Sequence, residues 1–252
     1  MNFVSAENMT EIAKTIKTYA DKSDDLHNIL SGGRDLRTVL GVSTLAQAGA
    51  KLKQLSDKHD YALLKLGDWL DVPLNYGSGS VTCRYEIAAF DQYHWFWTGA
   101  SGGTYGLGSI TFLCTVIPLT RQIGTSVSQL VYFGSPMDTF LRGLESPLES
   151  ALGAQLKQPV LYQQYNEGTY TDPSWYTDPD DYENDCNTFA RKVFMPSARE
   201  LTGEYVLGCN YGDNSHQFPL LALAPGKIPG KNTSGAYTYE WTRTPSRNPG
   251  RF

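Results

Sequence analysis

Apolar residues near the start of the chain recur at alternating steps of three and four. Met9, Ile12, Ile16, Tyr19, Ser23, Leu26 and Leu30 form one such series, with Ser23 its polar member. This repeat predicts a helix with a narrow heptad seam. Ser5 is its expected N-cap and Gly32-Gly33 its stop. A second seam runs through Leu45, Ala48, Leu52, Leu55, His59 and Ala62, with Ser43 as expected N-cap and Gly67 as stop. No proline interrupts residues 1–66. Helices of about three heptads or fewer are marginal alone in water, so these must pack on one another, on the rest of the chain or on further copies. Residues 1–66 are read as a coiled-coil-like helical segment for attachment and oligomerisation. Its self-association candidates are Met9, Ile12, Ile16, Tyr19, Leu26, Leu30, Leu45, Leu52 and Leu55. The alternative is a helical hairpin covering one face of the main body.

Beyond Gly67 the period changes. Trp69, Val72 and Leu74 open an extended stretch broken by Pro73, and Val81–Phe90 alternates as a strand does. Ile110–Ile117 is a continuous apolar run closed by Pro118, which predicts a central strand buried on both faces. The glycine-rich stretch 99–108 between them predicts a loop. Ser135-Pro136 predicts a capped helix with Met137, Phe140, Leu141 and Leu144 as its buried stripe. Ser146-Pro147 repeats the device with Leu148, Leu152 and Leu156. A strand at Val193–Met195 and a short helix at Ser197–Leu201 follow. The class expected for residues 67–252 is α+β, with small helices on a twisted, mostly antiparallel sheet.

Composition sharpens the division. All 13 Pro, all 5 Trp and all 4 Cys lie after residue 66. The first 66 residues carry a formal charge of +1 and the remainder −6, within a total of −5 over 252 residues. That acidity argues against nucleic-acid binding, which requires clustered Lys and Arg. No apolar run is long enough for a membrane span. Met1–Glu11 lacks the basic and apolar regions of a signal peptide, so synthesis in the cytoplasm is expected.

Seven stretches occur in order: LGDWLDVPLN (66–75), YEIAAFDQY (85–93), ITFLCTVIPL (110–119), GSPMDTFLRG (134–143), FMPSARELTG (194–203), QFPLLAL (217–223) and EWTRTP (240–245). Together they resemble a domain family of unknown function found in prophages and gut bacteria. That family is related in fold to C-type lectins and to the targets of diversity-generating retroelements. In its usual form a strand of "PLF" type follows the FLPSxxExxG stretch. The resemblance covers about residues 66–245 and implies a virion or cell-surface display domain with a C-type-lectin-like fold. It carries no catalytic residues over. Family members run on past the "WxRSP" strand, whereas this chain stops at Phe252. The expectation is that the last strands are missing or are completed by another chain.

The strongest binding candidates are Tyr162, Tyr165, Tyr170, Trp175, Tyr176 and Tyr182, because Tyr and Trp give large rigid contact area among adaptable polar neighbours. Tyr93, Trp95 and Trp97 invite a similar reading, with at least one face of that alternation in the core. Asp178, Asp180, Asp181, Glu183 and Asp185 are a weak Ca²⁺ candidate: the oxygens are close, but the EF-hand glycine and terminal Glu are missing. No other cofactor is expected. Cys83, Cys114, Cys186 and Cys209 form no CxxC pair; they read as small buried hydrophobes, or as a disulfide if maturation is extracellular. Cys209 and His216 flank a turn with nothing to orient the His, and no nucleophile, phosphate or metallopeptidase motif is present.

The expected function is recognition without chemistry. The chain reads as a bacteriophage virion protein, such as a tail fibre or receptor-binding protein. Its helices join other virion proteins or its own copies, and its aromatic loops bind a host surface glycan or protein. The alternatives are a structural protein of baseplate, tail or capsid and, behind it, a polysaccharide hydrolase.

Overall fold

The structure is a computed structural model and describes residues 6–76, 79–98, 103–115, 132, 134–164, 186–203 and 216–227. Helix α1 spans Ala6–Leu30. It stops where Gly32 and Gly33 take φ of 92° and 71°, and the Gly33 N–H closes on the Asn28 carbonyl at 2.8 Å. Ala13, Lys14 and residues 17–24 are exposed; burial begins only at Asn28 and Ile29. This shifts the inward face by one position from the expected seam. Ile29 enters the core, while Leu30 and Tyr19 are 75% and 70% exposed. The side chains of Met9, Ile12 and Ile16 lie outside the described residues.

A one-turn helix that the seam pattern does not predict, α2 (Leu36–Leu40), is capped by Asp35 and buries both its leucines. Helix α3 (Leu45–Asp57) starts from Thr44, not Ser43, because Thr44 and Gln47 form a reciprocal capping box. It ends at Asp57 rather than running to Gly67. Ala48 and Leu52 are buried, and Leu45 and Leu55 pack against the same core. The second seam is therefore satisfied within the chain.

Strands β1 (Trp69–Tyr76) and β2 (Gly79–Phe90) pair antiparallel, with Leu70 opposite Tyr85 and Val72 opposite Cys83. After the short strands β3 (Trp95–Trp97) and β4 (Gly103–Tyr105), β5 (Ile110–Cys114) pairs with the other side of β2. The sheet order is β1-β2-β5, so β2 is central. The expectation for 110–117 is corrected: among the described residues β5 is an edge strand, and only Leu113 of its residues is buried. Ile110, Phe112 and Cys114 are half-buried: they pack against the main core and also border a cavity. Residues 99–108 are not one loop either, since β4 forms a hairpin with β3.

Helix α4 (Pro136–Gly143) has Ser135 as N-cap and Pro136 in its first turn, as expected. Helix α5 (Glu145–Leu152) begins directly after Leu144, so Ser146 does not cap it and Leu156 lies beyond its end. Strands β6 (Val160–Gln164) and β7 (Cys186–Ala190) form a further antiparallel pair. Val193–Met195 is not a strand; β7 ends at Ala190, and ion pairs from Arg191 to Asp138 and from Lys192 to Glu149 hold the exit. Helix α6 (Ala198–Thr202) has a capping box between Ser197 and Glu200. The segment expected as a "PLF"-type strand is helical, α7 (Pro219–Leu223): Pro219 sits in its first turn, and the adjacent Leu220 and Leu221 are both buried.

The class is α+β, as expected. One hydrophobic cluster joins Ile29, Leu36 and Leu52 to Leu70, Ile87 and Leu148, so the core is continuous across the compositional break at residue 66. A smaller cluster holds Tyr93, Phe96, Leu161, Phe189 and Met195. The seam between the helices and the sheet is locked by Asp68, which is fully buried. Its carboxylate accepts from Arg34 Nε and Nη2 at 2.9 and 2.6 Å, from Asn28 Nδ2 at 2.9 Å and from the Lys65 N–H at 2.9 Å. With the Arg34 N–H at 3.3 Å, five bonds on two oxygens offset the desolvation of this charge.

Candidate functional site

The structure divides the aromatic candidates. Tyr162 lies on β6, but its side chain is outside the described residues, as are Tyr165, Tyr170, Trp175, Tyr176 and Tyr182. The acidic run Asp178, Asp180, Asp181, Glu183 and Asp185 also lies outside them. Among the described residues, no three His, Cys, Asp or Glu side chains are grouped to hold a metal ion.

The aromatic segment after β2 is described. Tyr93 and Phe96 are buried, whereas Trp97 is 44% exposed. Pairing with β4 adds Tyr105, which is 71% exposed and lies opposite Trp95. Paired residues of a hairpin project from the same face, as do residues two apart. Trp95, Trp97 and Tyr105 therefore share one face of the β3–β4 hairpin. The Trp95 and Tyr105 rings stack at 5.6 Å with 5° between their planes. The buried Trp95 indole N–H has no acceptor among the described residues. Tyr105 escapes the sequence reading because it stands within a glycine run; the available signal was the Trp95-x-Trp97 alternation, which marks a strand in need of a partner.

A second site lies between the two cores. A cavity of about 520 Å³ separates the sheet face bearing Val72, Tyr85 and Phe112 from α3, α4 and α5. Cys83 and Cys114 lie on its wall as thiols, not joined in a disulfide. A hydrogen bond from Cys114 lowers the Cys83 pKa against the opposing effect of burial. Burial raises the Tyr85 phenol well above its ordinary value, so it stays neutral. The side chain of Cys186 and all of Cys209 lie outside the described residues; His216 is exposed.

The cavity's polar end is built by the C-terminus of α3. Ser56 donates to the Gly108 carbonyl at 2.8 Å and accepts from Lys157 Nζ at 2.9 Å. Lys157 also pairs with Asp57 at 2.9 Å and bonds the Gly108 carbonyl. Lys53 and then Lys157 hold the Asp57 carboxyl below its usual range. Behind this end, Asp91 accepts from Tyr61 Oη at 2.6 Å and the Ser109 N–H at 2.7 Å, and faces His59 Nδ1 at 3.0 Å. Burial alone would raise the Asp91 carboxyl; Tyr61, His59 and Ser109 outweigh it, and the net direction is down. His59 and Asp91 have φ of 52° and 49°, a strained region for residues with a Cβ. His59 is thus no seam residue: it ties the segment after α3 to the end of β2.

Comparison with protein-family models, curated proteins and solved structures gives no match to this chain. Among the described residues, no helix is long and apolar enough to cross a membrane.

Proposed function

We propose that the protein is a bacteriophage virion display protein of the tail-fibre or receptor-binding kind that binds a host surface glycan through exposed aromatic rings. The observation that carries this reading is the β3–β4 hairpin, which presents Trp97 and Tyr105 to solvent beside a ring stack. Flat rings accept the C–H faces of sugars, and their rigidity keeps the entropic cost of binding low. The sequence resemblance to a prophage family with a C-type-lectin-like fold supports the same reading. Helix α1 is the attachment arm: its described side chains before Asp25 are exposed, so its apolar positions serve coiled-coil-like contact with other virion proteins or copies of the chain. Several copies raise the avidity of weak single sites.

A second reading, a structural virion protein joining other components, is favoured by the same arm, since joining needs the arm and not the rings. The discriminating experiment applies the purified chain and its Trp97→Ala/Tyr105→Ala variant to a glycan array and to extracted host envelope polysaccharide. Binding lost in the variant supports display. No glycan binding, with tight co-purification of another virion protein, transfers the assignment to the structural role. Release of sugar, abolished by one carboxylate variant, would make the protein a polysaccharide hydrolase.

A further inference from the structure

We propose that Cys83 and Cys114 are a disulfide-forming pair, which hydrogen peroxide converts into a covalent staple between strands β2 and β5. The inference does not rest on the glycan reading.

Placement comes first. Cys114 stands opposite Tyr85 in the β2–β5 ladder, and Cys83 lies two residues before Tyr85 on β2. Residues two apart on a strand, and residues directly opposite across a ladder, share one face. The two thiols are therefore diagonal neighbours on one face, and both border the cavity. The Thr115 N–H donates to the Arg84 carbonyl at 3.1 Å and fixes this register beside them. Diagonal neighbours in a ladder lie roughly 7–8 Å apart, and a disulfide needs Cα atoms within about 7 Å. Two features close that gap. The Cys114 thiol already hydrogen-bonds Cys83. Among the described residues β5 has no strand on its outer side, so a small shift of its backbone breaks no further ladder.

Access assigns the two roles. Cys114 is half-buried, whereas Cys83 is 5% exposed, so peroxide meets Cys114 first. The Cys114 thiolate attacks one peroxide oxygen. The O–O bond breaks, a sulfenic acid forms, and the hydroxide released takes up a proton and leaves as water. The Cys83 thiolate then attacks Cys114 Sγ. The S–S bond forms, the S–O bond breaks, and the second oxygen leaves as water. The two thiols have lost two electrons and two protons, and one peroxide has become two waters. The loop closed in this way, residues 83–114, contains the whole β3–β4 hairpin. Closing it restricts the unfolded chain and so favours the folded one.

The test treats the full chain with hydrogen peroxide, blocks the remaining thiols with N-ethylmaleimide and maps the peptides by mass. Trypsin cuts after Arg84, so Cys83 and Cys114 fall in different peptides. The expected result is one linked pair of peptides that separates on reduction, and a fall of two in the thiol count of the unfolded chain. The thermal midpoint should rise by about 5–10 °C and return on reduction. Cys114→Ser should abolish both the linked pair and the rise. The linked pair is read on the parent chain, whether or not Cys114→Ser folds. Linkage of either residue to Cys186 or Cys209, linkage between chains, or sulfinic acid at Cys114 with Cys83 still a thiol would overturn the proposal. A linked pair that leaves the midpoint unchanged would overturn the staple.

Discussion

The Trp95 indole lies parallel to the Tyr105 ring across the β3–β4 hairpin, and Gly103 is what leaves room for it. A Cβ at Gly103 would sit 1.6 Å from Trp95 Nε1. Gly103→Ala must therefore push the indole off Tyr105. We expect the near-ultraviolet circular dichroism of the stacked pair to fall and stability to drop by about 1–3 kcal/mol, the usual range for overpacking. Glycan binding should fall with it. An unchanged aromatic spectrum would show that the stack does not depend on this glycine.

Asp68 and Arg34 allow an equally direct measurement. Asp68 is fully buried, and the Arg34 side chain is 40% exposed. Arg34→Ala strands a buried carboxylate, which costs about 3–5 kcal/mol when such a pair is broken from one side. Adding Asp68→Asn removes the stranded charge and should restore part of the loss. Urea unfolding of both variants checks the order; a single variant within about 0.5 kcal/mol of the parent would remove Asp68 as the lock between α1 and the sheet.

How much of this was legible depended on how local the cause is. Helix α4 was readable because Ser135 and Pro136 announce a capped first turn. Strand β2 was readable from the alternation of its first half; over Glu86–Ala89 both of its faces are buried. Three elements failed where tertiary contacts decide. Leu30 continues a heptad yet is exposed, because the body takes Ile29 from the next position round the helix. β5 looks central by composition and is an edge among the described residues. The resemblance implies a strand at QFPLLAL, but Pro219 and two adjacent buried leucines make it a helical turn. In the candidate sites, Trp95 and Trp97 were visible and Tyr105 was not. The cavity was not readable at all, because it is defined by the space between Val72, Phe112 and Leu148, residues far apart in the chain.

Stability should fall in acid, and Arg191 should account for part of that. Burial alone would raise the Asp138 carboxyl, but the Arg191 fork at 2.7 and 2.8 Å and the Gly134 N–H outweigh it. Its folded-state pKa therefore lies below the ordinary 3.8. A depressed carboxyl stabilises fully above its unfolded value, and this contribution is lost as pH falls through the folded value. Asp57, Asp91 and Glu149 shift the same way, while Asp25, raised by burial, acts in the opposite sense. Arg191→Met should be strongly destabilising at neutral pH, and its deficit should shrink below about pH 4 as Asp138 protonates in both proteins. A deficit independent of pH would mean that Arg191 acts through packing on Phe189 rather than through its charge.

Gly49 tests the packing of the second seam. It is buried in α3, where a Cβ would lie 2.0 Å from the Leu152 carbonyl oxygen at the end of α5. Gly49→Ala gains about 1 kcal/mol of helix propensity, but a clash with backbone cannot be relieved by a rotamer change. We expect a net loss of stability and a lower thermal midpoint. A raised midpoint would mean that α3 and α5 separate easily.

The arm and the body should come apart in their effects. Side chains at Ala13, Lys14 and 17–24 are exposed, and burial starts at Asn28 and Ile29, so removing residues 1–24 takes away no described buried side chain. The truncated chain should unfold at nearly the same temperature as the full one, because Asn28 still bonds Asp68 and Ile29 still fills its place in the core. Its association should change. Under the proposed function the full chain sediments as an oligomer or with a virion partner, and the truncated chain as a monomer. A Tyr19→Ser substitution, at a position 70% exposed on the arm, should weaken association without moving the unfolding temperature. If instead truncation lowers the unfolding temperature and leaves the sedimentation unchanged, α1 is part of the folded body and the attachment role must pass to another surface.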